Sequence, residues 1–218
     1  MKKWILALVA LVVAVGCMEE STFTATNYSD FAVFSQGLFL TDSGYSFKVT
    51  ENASGTTGWE VEGKRFHLLC DILNRDLDIR LKSLNPVTIK DALPYEEGQP
   101  ETDDPVAVLH SIGGGYLNLI IAYSYNPSSN FKHKVDVYWE ARNNRLNFYL
   151  LHDGNHEDSV HMDSSSLKQE TLFYSIPLRE ILATGTFETI SLTLYEMEDL
   201  TSGESKIIRN TYYLGGVL

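Results

Sequence analysis

The chain has 218 residues, of which 44% are hydrophobic and 21% are charged. This balance is that of a folded globular protein and excludes a chain that is disordered throughout. The formal net charge of −12 argues against nucleic acid as a partner, because so acidic a surface repels a phosphate backbone.

The N-terminal residues have the pattern of an export signal. Two lysines precede an apolar stretch at residues 4–15, which is shorter than the roughly 20 residues that a membrane-spanning helix needs. The signal ends in AVGC at 14–17, which resembles the lipobox of bacterial lipoproteins. In a lipobox the cysteine receives a diacylglycerol and becomes the first residue after cleavage. Gly16 provides the small residue that is needed before the cysteine, whereas Ala14 departs from the usual leucine.

We therefore predict a lipoprotein signal peptide at 1–16, acylation (palmitate) on Cys17 and a lipidated tether at 17–28. An ordinary signal peptide with an incidental cysteine is the alternative. Two glutamates follow soon after the cysteine, as in lipoproteins that are exported to the cell surface. Met18 stands where an aspartate retains many lipoproteins in the inner membrane. These residues predict an outer-membrane location, exposed at the surface and not facing the periplasm.

Beyond the tether, apolar and polar residues alternate with a period of two, which predicts strands and not helices. A first group of strands is predicted at 31–40, 45–51, 59–61, 65–73 and 77–90. Five short strands favour a small OB-like barrel, which we place at 29–95. Cys70 falls on the apolar side of one of these strands, so we predict a small buried hydrophobic residue and not a nucleophile.

The segment after the barrel contains three prolines and five acidic residues at 92–105, which is typical of a linker, predicted at 96–105. Seven further strands are predicted at 107–111, 116–125, 134–141, 145–152, 169–176, 189–196 and 206–214. They favour a β-sandwich at 106–218, with a short helical turn at 177–182 and a tight bend at the triple glycine 113–115. The predicted fold class is all-β, a small N-terminal OB-like barrel followed by a C-terminal β-sandwich.

Residues 152–163 hold three of the six histidines, His152, His156 and His161, together with four carboxylates. Imidazole and carboxylate are suitable ligands for zinc or a similar ion. The intervals match no zinc or calcium motif, and a solvated turn between two strands is the other interpretation. This segment is the basis of an alternative function, a metal-dependent hydrolase or metal-binding protein.

Aromatic residues are frequent in the sandwich strands and offer surfaces for binding a sugar or a peptide. The candidates are Tyr116, Tyr123, Tyr125, Tyr138, Trp139, Phe148 and Tyr149. The alternation assigns about half of them to the core. The sequence has no nucleophile elbow, zinc-protease motif or dinucleotide fingerprint, so we predict that the protein is not an enzyme and uses no cofactor.

The order of these parts resembles the NigD-like lipoproteins, exported proteins of certain Gram-negative gut and oral bacteria. The similarity covers nearly the whole mature chain. Its most telling stretches are GGYLNLIIAY at 114–123, RLNFYLLHDGN at 145–155 and FYSIPL at 173–178. The resemblance implies the two-domain architecture and the lipid anchor, and it brings no catalytic or ligand residues. The family is named after a gene next to a bacteriocin, which implies a role in immunity to that toxin.

The sequence thus predicts a non-enzymatic, lipid-anchored outer-membrane binding protein of the bacteriocin-immunity or envelope-accessory type. Its predicted partners are the membrane, through the lipid on Cys17, and a protein, peptide or glycan of unknown identity. A metal-dependent hydrolase that uses the three histidines, and a structural or adhesive surface subunit, are the alternatives.

Overall fold

The structure is a computed structural model that describes residues 24–96, 104–154, 167–199 and 205–215. Within these ranges the chain forms a closed barrel followed by two further sheets. The predicted all-β fold, a barrel followed by a sandwich, is confirmed. No helix in the described ranges is long and apolar enough to cross a membrane.

The N-terminal barrel consists of β1 (Ala25–Ser35), β2 (Leu38–Thr41), β3 (Ser46–Asn52), β4 (Arg65–Ile72) and β5 (Asp78–Pro86). The strands follow one another in the order β1-β2-β3-β5-β4, and pairing between β4 and β1 closes the barrel. Within the barrel, only β3 and β5 pair in parallel. Aromatic and aliphatic side chains fill the interior, the largest being Phe39, Phe47, Phe66, Leu68, Ile79 and Leu81.

Cys70 on β4 belongs to this interior, since its relative exposure is 0%. Burial raises the pKa of its free thiol to about 12. The thiol therefore stays protonated at neutral pH, and a protonated thiol is a poor nucleophile. The prediction of a small buried hydrophobic residue at this position is confirmed.

Two of the predicted barrel strands are wrong. The strand predicted at 31–40 is interrupted at Gln36 and Gly37, which turn the chain with φ angles of 52° and 82° and so join β1 to β2 as a hairpin. The residues predicted as a strand at 59–61 form none. Instead, the Trp59 ring packs over the Phe39 ring at a centroid distance of 5.1 Å and covers the barrel core.

The barrel also begins and ends earlier than the sequence pattern suggests. Ala25 pairs with Ile72, so β1 takes up the last residues of the predicted tether. The strand predicted at 77–90 leaves the barrel at Pro86. Beyond it the backbone N–H of Lys90 donates to the carbonyl of Ser175, at 3.1 Å, and ties the chain to the sandwich.

The sandwich strands are β6 (Thr88–Ile89), β7 (Leu93–Pro94), β8 (Ala107–Gly113), β9 (Tyr116–Tyr125), β10 (Lys134–Arg142), β11 (Arg145–Asp153), β12 (Lys168–Pro177), β13 (Thr189–Asp199) and β14 (Ser205–Gly215). One sheet has the order β14-β13-β11-β10-β7 and the other β6-β12-β9-β8. A single-turn helix, α1 (Arg179–Leu182), follows β12. The strands β8 to β14 lie where the alternation predicts them, because each turns one apolar side to the core between the sheets. The short strands β6 and β7 were predicted as part of the barrel at 29–95, whereas they pair with β12 and β10 at the sheet edges.

Two hairpin turns of the sandwich that lie within the described residues carry the residues that such turns need. Asn143 and Asn144 join β10 to β11 with φ angles of 52° and 56°, and Gly114 and Gly115 join β8 to β9 with φ angles of 57° and 83°. Asparagine and glycine tolerate this left-handed conformation. The tight bend predicted at the triple glycine is confirmed.

A buried polar cluster joins the barrel to the four-stranded sheet. Arg65 on β4 forms an ion pair with Asp42, which follows β2, and only 2% of the Arg65 side chain is exposed. From the sandwich, Ser175 accepts a hydrogen bond from Arg65 Nε at 2.8 Å, and Asn118 accepts one from the guanidinium at 3.0 Å. The guanidinium also lies 4.1 Å from the centroid of the Tyr116 ring. We call these five residues the Arg65 cluster.

Two contacts beside the Arg65 cluster complete the junction. The His67 ring stacks on the Phe173 ring of β12, with centroids 5.1 Å apart. Asp42 lies so close to Gly113 that a Cβ atom at Gly113 would come within 2.8 Å of the Asp42 Cβ. The barrel therefore packs tightly on the outer face of the four-stranded sheet, and the outer face of the five-stranded sheet is on the opposite side of the sandwich.

The Arg65 cluster gives a first testable prediction. We expect Arg65→Met to lower the free energy of unfolding by about 3–5 kcal/mol, because Asp42 would be left buried without its cation. Urea denaturation followed by circular dichroism measures the change. The matched control is Arg80→Met, which removes an ion pair with Glu51 whose side chains are 45% and 50% exposed. The control should leave the midpoint nearly unchanged, and equal midpoints for Arg65→Met and the native chain would contradict the prediction.

Candidate functional site

The structure places one of the predicted histidines, His152, in a buried centre with a residue that the sequence did not suggest. His133, directly before β10, has its Nδ1 atom 2.9 Å from Nε2 of His152 on β11. The Tyr123 ring lies against both imidazoles, at centroid distances of 5.0 Å from His133 and 4.6 Å from His152. The buried carboxylate of Asp104 accepts a hydrogen bond from the Gly154 backbone N–H at 2.6 Å and so ties the segment before β8 to the end of β11.

The buried environment favours the uncharged form of His152. Burial lowers the pKa of His152, and the neighbouring His133 lowers it further, whereas the Asp104 carboxylate acts in the opposite direction. A single hydrogen bond between two imidazole nitrogens requires one donor and one acceptor, so protonating both rings would set two N–H groups against each other. The pair is thus suited to holding β10, β11 and the 104–106 segment together at neutral pH.

The other predicted site residues, Cys17, His156 and His161, lie outside the described residues. Among the residues that are described, no three His, Cys, Asp or Glu side chains are grouped so as to hold a metal ion. The lipid on Cys17 and the metal site of His152, His156 and His161 stay predictions.

The candidate aromatic residues divide between the core and the surface, as the alternation predicts. Phe148 and Tyr123 are buried in the sandwich. Trp139, at the end of the inward-facing row of β10, lines a cavity of about 850 Å³ that α1 and the segment 91–94 border. Tyr138 and Tyr149 point from β10 and β11 to the outer face of the five-stranded sheet, since their neighbours in sequence, Val137 and Phe148, point to the core.

The outer face of the five-stranded sheet carries two rows of side chains that cross four strands. We call these two rows the tyrosine face. The pairing of β10, β11, β13 and β14 defines the rows as Glu140, Asn147, Ser191 and Tyr213, and as Tyr138, Tyr149, Thr193 and Thr211. Tyr95, from the segment after β7, adds a ring at one end, at a centroid distance of 4.7 Å from Tyr149. Tyr213 is 78% exposed at the other end.

Hydrogen bonds hold the polar side chains of the tyrosine face in fixed orientations. The Tyr149 hydroxyl donates to Glu140 Oε1 at 2.7 Å, and the Asn147 amide donates to the same oxygen at 3.4 Å. Ser191 Oγ donates to Asn147 Oδ1 at 2.8 Å and fixes the orientation of the amide. Burial, followed by the bond to Glu140, raises the pKa of Tyr149 to about 12, so its hydroxyl remains a donor at neutral pH.

Sequence reasoning identified only part of this surface. It named Tyr138 and Tyr149 as candidates and overlooked Tyr95 and Tyr213, which come from distant parts of the chain. The available signal is the set of polar residues that alternate with apolar ones along β13 and β14. Which of these residues meet could be known only from the strand order, in which β13 lies next to β11.

Comparison with known proteins agrees with the fold. No protein-family model and no curated protein matches the chain. Among solved structures, a NigD-like immunity protein from Bacteroides caccae is 16% identical, with a TM-score of 0.53 over 89% of this chain and 99% of that one. A candidate lipoprotein from Bacteroides fragilis is 14% identical, with a TM-score of 0.57 over 87% of this chain and 98% of that one.

A third solved structure, a candidate toxin-related protein from Parabacteroides distasonis, is 13% identical, with a TM-score of 0.50 over 85% of this chain and 92% of that one. At these identities the likeness is one of fold, and it extends across both domains. The resemblance to the NigD-like proteins that the sequence indicates is therefore confirmed as a shared fold.

Burial of histidines gives a prediction for the pH dependence of stability. Burial lowers the pKa of His67, His110 and His152 in the folded protein, so the unfolded chain binds protons first as the pH falls below about 6.5. We therefore expect the free energy of unfolding to fall between pH 7.5 and pH 5, above the range in which most carboxylates titrate.

The variant His152→Gln tests this explanation, because its amide can still hydrogen-bond to His133 but does not titrate. Urea midpoints at pH 7.5, 6.5 and 5.5 should fall less steeply for the variant than for the native chain. If the urea midpoints of the two proteins fall equally with pH, His152 does not contribute to the pH dependence of stability.

Proposed function

We propose that this chain, which has the fold of the NigD-like proteins, is a lipid-anchored binding protein of the outer membrane and not an enzyme. The observation that carries the proposal is the arrangement around the Arg65 cluster. It joins barrel and sandwich into one rigid unit and leaves the tyrosine face on the side away from the barrel. Such a unit holds a binding surface in a fixed orientation relative to the N-terminal end of the chain.

The similar structures support a part in immunity or in another envelope process. One of them is named as an immunity protein and another as toxin-related, and the shared fold covers most of each chain. A rigid unit of two domains that holds one open surface in place suits a binding role of either kind. We propose a bacteriocin-immunity-type or envelope-accessory function on this basis.

The proposed anchor is a lipid on Cys17, and the proposed location is the outer surface of the outer membrane. A similar structure is named as a candidate lipoprotein, which supports an anchored envelope protein. Two or more acyl chains on one cysteine give stable attachment, whereas a single chain binds a membrane only marginally. The acidic residues after Cys17 support export to the surface.

The two cysteines allow a matched test of the anchor. We expect Cys17→Ala to lose palmitate labelling in cells and to leave the membrane fraction, because its thiol is the proposed acceptor of the lipid. Cys70→Ala, which changes the buried thiol of β4, should keep both the label and the membrane association. A Cys17→Ala protein that is still labelled would contradict the proposed anchor.

The binding function is tested on intact cells that display the full chain. We expect a photoreactive benzophenone side chain at position 213 to crosslink to a discrete ligand, because benzophenones insert into C–H bonds of proteins and glycans alike. The control carries the same group at position 109, where Leu109 is 70% exposed on the four-stranded sheet. Mass spectrometry identifies the products. The same products at both positions, or none at position 213, would contradict binding at the tyrosine face.

A further inference from the structure

We propose that the tyrosine face binds a neutral glycan, an inference that rests on the proposed binding function and specifies its ligand. Sugars present apolar C–H faces and rings of hydroxyl groups, each of which donates and accepts hydrogen bonds. A surface that binds them needs aromatic rings next to polar groups of both kinds. The tyrosine face provides both. The exposed ring of Tyr213 stands at one end and the half-buried ring of Tyr95 at the other, and a carboxylate and an amide lie between them.

The polar groups between the rings are arranged for a ligand with hydroxyl groups. The hydrogen bonds that the described residues make to Glu140 go to Oε1, which leaves Oε2 as an acceptor for a sugar hydroxyl. The Asn147 amide has two N–H donors and uses one of them toward Glu140. Because Ser191 and Tyr149 already fix these groups, a ligand would meet them with little further loss of side-chain entropy.

The charge on this side of the sheet favours a neutral ligand. The register of β10, β11 and β14 turns four basic side chains outward with three acidic ones. The basic residues are Lys134, Arg142, Arg145 and Arg209, and the acidic residues are Asp136, Glu140 and Asp153. The face is thus nearly balanced, although the whole chain has a net charge of −12. A polyanion would be repelled by the chain as a whole, and a polycation would find no acidic field on this face.

The dimensions of the face favour a chain of sugars over a single one. Three strand spacings, each about 4.8 Å, separate Glu140 on β10 from Tyr213 on β14, which places them roughly 14 Å apart. The ring of Tyr95 adds to the surface over β10 and β11, since it lies against Tyr138 and Tyr149. An oligosaccharide can therefore contact a ring at each end and the polar groups in the middle.

A protein partner fits the same face less well. Protein interfaces draw most of their binding energy from large apolar or aromatic side chains that fill pockets and lose all contact with water. Leu109, the most exposed aliphatic residue described, lies on the other sheet. The centre of the tyrosine face is polar, and the half-buried side chains of Glu140 and Asn147 would have to be desolvated beneath a protein.

The test is affinity electrophoresis of the full chain in detergent, in native gels that contain one polysaccharide each. The neutral probes are dextran, mannan, galactan, xylan and β-glucan, and the anionic probes are alginate and polygalacturonate. We expect retardation in at least one neutral gel. The apparent affinity should fall at least tenfold in Tyr213→Ala, which loses an end ring, and in Glu140→Gln, which loses the charged acceptor. Leu109→Ala is the matched control and should migrate as the native chain does.

Each other outcome overturns the inference. The inference is wrong if no neutral gel retards the native chain, or if only the anionic gels retard it. It is also wrong if Leu109→Ala loses as much affinity as the variants of the tyrosine face. Circular dichroism and urea midpoints establish that the variants are folded, so a loss of binding is not a loss of structure. A protein captured at position 213 without retardation in any neutral gel would overturn the glycan inference alone. If position 213 crosslinks to no ligand and no neutral gel retards the chain, the proposed binding function is overturned as well.

Discussion

The ion pair between Arg65 and Asp42 is the constraint on which the arrangement of the two domains depends. Both charges are withdrawn from water, which is costly unless each is paired and its remaining hydrogen-bonding groups are satisfied. The barrel provides the two charges, and the sandwich provides the Ser175 hydroxyl, the Asn118 amide and the ring of Tyr116. Because these partners satisfy the guanidinium only in one relative orientation, the cluster fixes which face of the sandwich the barrel covers.

The division of the sandwich into a covered and an open side follows from that contact. The four-stranded sheet receives the barrel, so its outward residues Asn118, Phe173 and Ser175 are part of an intramolecular interface. The five-stranded sheet keeps its outward side for tyrosines, an amide and hydroxyl groups. The histidine pair closes another part of the sandwich, where His152 and His133 hold β10 against β11. The residues that make the molecule rigid are thus different from those that form its open surface.

The seven longer strands of the sandwich could be predicted closely because each has a strong alternation, as Val135 and Val137 show against Asp136 and Tyr138. The two-residue strands β6 and β7 were missed because they are too short to alternate. The barrel was harder, since glutamine is an unusual residue for the left-handed turn at Gln36, and the apolar Trp59 serves to cover a core without joining a sheet. The Arg65 cluster could not be predicted, because its hydrogen bonds reach 53 and 110 residues along the chain, to Asn118 and Ser175. For the same reason, the sequence did not show that His133 contacts His152 or that Tyr213 lies on the tyrosine face.

The distant partners of Arg65 also have a consequence for the order of folding. In a chain that is made from its N-terminus, the barrel emerges first, together with its own ion pair. The hydroxyl and amide that complete the cluster arrive only when Ser175 on β12 has emerged and has paired with β9. Contacts of such long sequence separation form slowly. The barrel should therefore wait, closed around Phe39, Phe47 and Cys70 but only partly stabilised, until most of the sandwich has followed it.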